Sequence, residues 1–188
     1  MLDRVRGVAG LEINISCPNV STGGLEFGMS PESASRVVAA VRATTTLPLM
    51  VKLSPNVTDV VSIASAVVSA GADAVCLINT LRGMAIDIET RTSRLGTLSG
   101  GLSGPAIKPV ALHMVHAVAH AIDAPVVGCG GIATAQDAIE FIMAGATAVQ
   151  VGTATFTDAR SMLDIIDGIV AFMEQHGLTS LGELRGMV

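Results

Sequence analysis

Tryptophan and tyrosine are absent from the 188 residues, phenylalanine occurs four times, and charged side chains make up only 14%. The interior must therefore be filled by aliphatic residues and the nine methionines, whose flexible thioethers suit irregular core gaps and need no cofactor to explain them. The 11 lysines and arginines are scattered and outweighed, for a net charge of -5, which argues against a nucleic-acid surface. No apolar run reaches the roughly 18 residues of a membrane span; Asp73 and the glycines interrupt the best one, residues 66–78. The three cysteines, Cys17, Cys76 and Cys129, are odd in number and far apart, so neither a disulfide framework nor a CxxC metal site fits. The N-terminal stretch lacks the basic region, apolar region and cleavage site of a secretory signal, and a cytoplasmic location is expected.

Half of the residues are hydrophobic, enough for the core of one domain spanning 1–188. Five short runs rich in Val, Ile and Leu, residues 11–16, 48–54, 74–80, 125–132 and 148–154, read as buried parallel strands. Helical patterns separate them. Ser30, Pro31 and Glu32 open the first, with Val37, Val38 and Val41 as its apolar face. Others are expected over 59–70, 105–122, 134–144 and 159–176, and Ser180 with Glu183 makes a capping-box pattern near the C-terminus.

Strict alternation leaves a doubly wound sheet or a (β/α) barrel. Two features favour the barrel. Asn14, Ser16, Lys52, Ser54, Asn79 and Thr80 stand at the C-terminal ends of successive strands, where barrel enzymes place their chemistry. The last two strands also run into glycine-rich turns, GCGGI at 128–132 and VGTA at 151–154, as in the phosphate site after barrel strands seven and eight. The expected fold is thus α/β, a (β/α)8 TIM barrel represented by strands four to eight, since a whole barrel takes about 250 residues.

The segment LEINISCPNVSTGGLEFG, residues 11–28, resembles the active-site motif of the dihydroorotate dehydrogenases, and its GG-x-x-FG continuation resembles the class 1B catalytic subunits. The resemblance continues through VKLSPN, INTLRGMAID, GGLSGPAIKPVAL, GCGGI and VGTA, in order. It implies oxidation of dihydroorotate to orotate in pyrimidine synthesis with FMN as hydride acceptor. It assigns Cys17 as the general base, a role that suits a thiol of pKa about 8.5 on a loop. It places Asn14, Lys52, Ile78, Gly104, Gly130, Gly131, Gly152 and Thr153 against FMN, and Asn14, Asn19, Asn79 and Thr80 against substrate. Lys52 lies in an otherwise apolar strand and needs an anionic partner, either the cofactor or a structural acid.

Class 1B enzymes pass electrons to NAD through a partner subunit carrying FAD and an iron–sulfur cluster, so the resemblance implies that partner and a heterotetramer. The 128–131 turn lacks the third spaced glycine of a dinucleotide fingerprint, so this chain is not expected to bind NAD itself. Two alternatives stand beside this reading: a flavin domain like that of dihydropyrimidine dehydrogenase, and a non-catalytic fragment of a barrel. His113, His116 and His120 share a helical face, but a solvated or interface face is expected there in place of a metal site, and Cys76 and Cys129 are expected to be core residues.

Overall fold

The computed structural model describes residues 2–16 and 27–188. Five parallel strands form the central sheet: β1 (Leu11–Asn14), β2 (Leu49–Lys52), β3 (Ala74–Leu77), β8 (Val126–Cys129) and β9 (Ala148–Gln150). They lie in chain order, each paired with the next. Helices α1 (Pro31–Arg42), α2 (Val60–Ser69), α3 (Lys108–Ala119) and α4 (Ala135–Met143) make the crossovers, and α6 (Ser161–His176) follows β9. All five expected strands and their intervening helices are present. The architecture is that of a partial (β/α)8 barrel.

Local chemistry sets the helix ends. Ser30, Asp59 and Thr134 each cap a helix by accepting a backbone N–H from the residue three positions on, and α6 stops at Gly177, which adopts the left-handed conformation. The strands bury one face against the helices: Leu49, Val51, Val75 and Leu77 are fully buried there with Val38 and Val67 of the helices. The other face is concave and carries polar side chains toward the C-terminal ends of the strands. Its curvature is visible in one contact, because Gln150 Nε2 of β9 donates to Glu12 Oε2 of β1 at 2.7 Å. Four strand spacings of about 4.8 Å would hold those edges some 19 Å apart in a flat sheet. The sheet is therefore curled as a barrel wall is.

Some element ends differ from the sequence expectation. The segment 81–102 leaves the sheet to form two antiparallel pairs, β4 (Leu81–Gly83) with β7 (Gly100–Leu102) and β5 (Ile86–Asp87) with β6 (Thr92–Ser93). These strands are too short for a two-residue period to register. The stretch expected to extend the last strand to 154 instead turns after Gln150, and α5 (Ala154–Thr157) begins within it. Small residues such as VGTA carry no period that separates strand from turn. Among the described residues no helix is long and apolar enough to cross a membrane.

Candidate active site

Period-two alternation and strand register bring the polar residues of the sheet together. Asn14 lies opposite Lys52, Lys52 opposite Cys76, and Cys129 opposite Gln150, so these side chains share the concave face. Only 12% of the Lys52 side chain is exposed. Its Nζ donates to Gln150 Oε1 at 3.0 Å and to Cys76 Sγ at 3.1 Å, and lies 3.9 Å from Glu12 Oε1. Lys52 therefore has both an acid and a polar network beside it, and it also lines a cavity. Gln150 and Glu12 carried no motif in the sequence; their inward positions in two strands on opposite edges were the available signal.

Charge in this cluster is unevenly held. Burial disfavours the Lys52 ammonium, but the Cys76 and Cys129 sulfurs beside it prevail and hold its pKa above the usual value. Cys76 Sγ accepts from Lys52 Nζ and donates to Gln150 Oε1 at 3.3 Å, and the Cys76 and Cys129 thiols titrate as a pair. The neighbouring Cys129 thiol and burial push Cys76 up, while the Cys76 thiol and the Lys52 charge, working against burial, bring Cys129 down to about 6. Cys76 is fully buried as expected, but Cys129 is a cavity residue, because the chain turns away at Gly130 and leaves its side chain on the open face.

A second network joins the strand ends. Asn79 Nδ2 donates to Ser16 Oγ at 2.8 Å and to Asn14 Oδ1 at 3.2 Å, while Asn79 Oδ1 accepts from Thr80 N at 2.7 Å. Ser16 Oγ in turn donates to Asn14 Oδ1 at 2.8 Å. Behind them, Asn56 Nδ2 donates to the Thr80 carbonyl at 3.0 Å and Asn56 Oδ1 accepts from Arg82 N at 2.8 Å. Asn56 stands in the VKLSPN motif, yet its role as a brace for the 79–82 backbone is visible only in three dimensions.

The third part is a glycine cradle. Gly131 has φ +78, and a Cβ there would sit 2.8 Å from both the Gly104 carbonyl oxygen and Lys108 N, so the two turns touch only because the side chain is missing. Lys108 Nζ clamps them from behind, 2.6 Å from Asp137 Oδ1 and 2.8 Å from Glu140 Oε2. Asp137 Oδ2 also accepts from Ala133 N and Thr134 N, both at 2.9 Å. Burial raises the Asp137 pKa, but the bond from Lys108 and those backbone donors hold the carboxyl below its ordinary range. A depressed carboxyl stabilises the fold above its unfolded pKa near 4 and loses that contribution as pH falls through the lower folded value. Asp137→Asn is expected to cost about 1–2 kcal/mol at pH 7. Urea melts should show the gap from the parent closing below about pH 4, and a gap unchanged down to pH 3 would remove the carboxylate from the clamp.

These parts enclose a cavity of about 200 Å³. Lys52, Ile78, Gly104, Gly130, Gly131, Gly152 and Thr153 line it, with Asn79 and Thr80 at its rim and Cys129 and Gln150 in its wall. Asn14 joins through its bond to Asn79. Cys17 and Asn19 lie outside the described residues. His113, His116 and His120 are remote on α3, where the His116 and His120 rings lie 4.2 Å apart and His116 Nε2 bonds to the Val188 carbonyl at 3.0 Å.

Comparison with known proteins agrees with this geometry. The family model described as dihydroorotate dehydrogenase matches residues 3–173. A Geotalea uraniireducens protein named dihydroorotate dehydrogenase B (NAD(+)), catalytic subunit, is 58% identical over 185 residues, covering 98% of this chain and 61% of that protein. The Alkaliphilus metalliredigens protein of the same name is 56% identical over 176 residues, covering 94% and 58%. A crystal structure of DHODH from Eimeria tenella in complex with ferulenol superposes with a TM-score of 0.77 at 25% identity, over 95% of this chain and 54% of that one. The chain thus spans about three fifths of the length of these bacterial relatives. With barrel strands, polar strand ends and a family match over residues 3–173 in agreement, the chain belongs to the dihydroorotate dehydrogenase family.

Proposed function

We propose that this chain is the C-terminal portion of an FMN-binding barrel that oxidises dihydroorotate to orotate in pyrimidine biosynthesis, handing electrons to NAD through a partner subunit that carries FAD and an iron–sulfur cluster. The observation that carries the reading is the convergence of seven of its eight expected FMN residues on one cavity. The residues fit the group. Gly104, Gly130 and Gly131 all have positive φ, which lets the two turns close on each other, and a Cβ on Gly152 would meet only open space, so backbone there is free to approach an anion such as a phosphate. Lys52 adds a held positive charge, and Ile78 an apolar wall. At about 200 Å³ the cavity is smaller than the 300–1,000 Å³ usual for cofactors, consistent with further contacts from the length this chain does not cover.

Bound there, FMN supplies a hydride acceptor. The chain's own residues do the rest. Asn14, Asn79, Thr80 and Asn19 donate to and accept from the amide-rich substrate ring. Cys17 takes the substrate proton on its sulfur, a task for which a loop thiol needs only modest tuning near neutrality. Lys52, already held in place by Glu12 and Gln150, acts as a fixed charge that costs no reorganisation during reaction.

The test is flavin content followed by anaerobic addition of dihydroorotate. It is applied to this chain and to a chimera that adds the portion of the G. uraniireducens relative it does not cover. Stoichiometric flavin bleached by dihydroorotate in the chimera is the expected result, with weak binding by the chain alone; a yellow chimera that dihydroorotate leaves unbleached would overturn the substrate. In that chimera Cys17→Ser is expected to slow bleaching about 100-fold with flavin retained, the lower end of what a general base contributes because serine preserves the hydrogen bond. Stopped-flow absorbance reads it, and an unchanged rate removes Cys17 from the proton transfer.

A further inference from the structure

The side-chain amide of Gln150 is held at its two ends by groups of opposite charge. Its Oε1 accepts from Lys52 Nζ at 3.0 Å and from Cys76 Sγ at 3.3 Å, and its Nε2 donates to Glu12 Oε2 at 2.7 Å. An ammonium can only donate and a carboxylate can only accept. Turned over, the amide would set N–H against N–H at one end and oxygen against oxygen at the other. Glu12 therefore decides which way the amide faces. Its own Oε1 stands 3.9 Å from Lys52 Nζ, outside the range of an N–H···O bond, so its hydrogen-bonded route to the lysine runs through Gln150. We propose that Gln150 is a positioning residue: anchored by Glu12, it fixes the Lys52 ammonium and leaves one of the lysine's N–H donors for an acceptor in the cavity.

A count of donors supports this role. A lysine ammonium has three, and the described residues take two, one at Cys76 Sγ, 3.1 Å away, and one at Gln150 Oε1. Because the ammonium is tetrahedral, fixing its carbon and two of its protons fixes the third. Lys52 and Gln150 both line the cavity. A short pair between Lys52 and Glu12 would spend the third donor on the carboxylate; the interposed amide holds the ammonium still and keeps that donor for a ligand. Both lone pairs of Gln150 Oε1 are taken, by Lys52 and Cys76, so this wall offers a ligand N–H groups and suits an acceptor. Where that acceptor is a flavin, the reading on which this step rests, reduction adds negative charge, and a well-placed ammonium favours the reduced form.

The chain has two lysines, Lys52 and Lys108, so lysine labelled with nitrogen-15 at Nζ gives two ammonium signals. Lys108, clamped separately by Asp137 and Glu140, reports on the fold. In the 188-residue chain without ligand, Gln150→Met keeps the length and loses the bonds. It is expected to speed solvent exchange of the Lys52 ammonium protons about 10-fold with Lys108 unchanged. Glu12→Gln retains an acceptor but not the charge that orients the amide, and should fall between. Lys52 exchange within about twofold of the parent in Gln150→Met, or equal changes at both lysines, overturns the proposal. In the chimera loaded with FMN, Gln150→Met should cut the preference for reduced over oxidised flavin about 10-fold, a fall of about 30 mV in the two-electron midpoint. In a Lys52→Met background it should cause no further fall, and a fall that persists without the lysine overturns the positioning role. Faster Lys52 exchange with an unmoved midpoint supports the positioning of the lysine and removes the flavin from its side, so the failure of one reading is distinct from the failure of the other.

Discussion

Lys52→Met in the chimeric enzyme is expected to slow bleaching by dihydroorotate about 10²- to 10³-fold, the loss seen when one preorganised donor is removed. Methionine matches lysine in length and apolar stem, so the packing of β2 should survive while the charge disappears. The ammonium is already fixed by Gln150 Oε1 at 3.0 Å and Cys76 Sγ at 3.1 Å, so its contribution needs no rearrangement in the transition state. Lys52→Gln separates charge from hydrogen bonding: it can still donate to the network, and it should be as slow as the methionine variant. Single-turnover stopped-flow is the measurement, and a Lys52→Met rate within threefold of the parent would show that the lysine serves only the sheet.

Phe141→Ala is expected to lower unfolding stability by about 3–5 kcal/mol. Phe141 is wholly buried on α4, and its ring occupies the space where β8 has no side chain: a Cβ on Gly128 would lie 2.5 Å from Phe141 Cδ1. Truncation therefore opens a void beneath the strand that carries Cys129, and close-packed surroundings relax into such voids only in part. Against a typical total of about 5–15 kcal/mol, that loss leaves the variant at the edge of folding. Gly128→Ala alone should also destabilise, through overpacking. Combined with Phe141→Leu it should cost less than the sum of the single changes, since the added methyl fills space the smaller side chain vacates. Urea titrations of the four proteins read this coupling, and strict additivity would mean that the strand and the ring do not share the space.

Much of this was legible in the sequence, and for identifiable reasons. The strands were visible because a parallel strand buried on one side by helices is a short apolar run, and Lys52 stood out as a charge inside one. Asn79 and Thr80 were marked by polarity directly after AVCLI. Gln150 and Glu12 were overlooked because a polar residue near the end of a short strand has no distinctive period; only the curl of the sheet brings residues 138 positions apart into contact. Cys129 was misread for a related reason. Its burial is decided by where the backbone turns at Gly130, and no local pattern reports that. The Lys108 clamp on Asp137 and Glu140 joins a motif lysine to an ordinary helix start, and its partners, about 30 residues away, emerge only from the packing of α3 on α4.

The bond between Gln150 and Glu12 also fixes how much of the bore is taken. In a ring of eight strands, five neighbours cover half the circumference, so their outer members face one another along a diameter. Two side chains that meet across a diameter divide the lumen at that level in two, so the half away from the five strands is open to the side chains of whatever closes it, in keeping with the layered filling of barrel interiors.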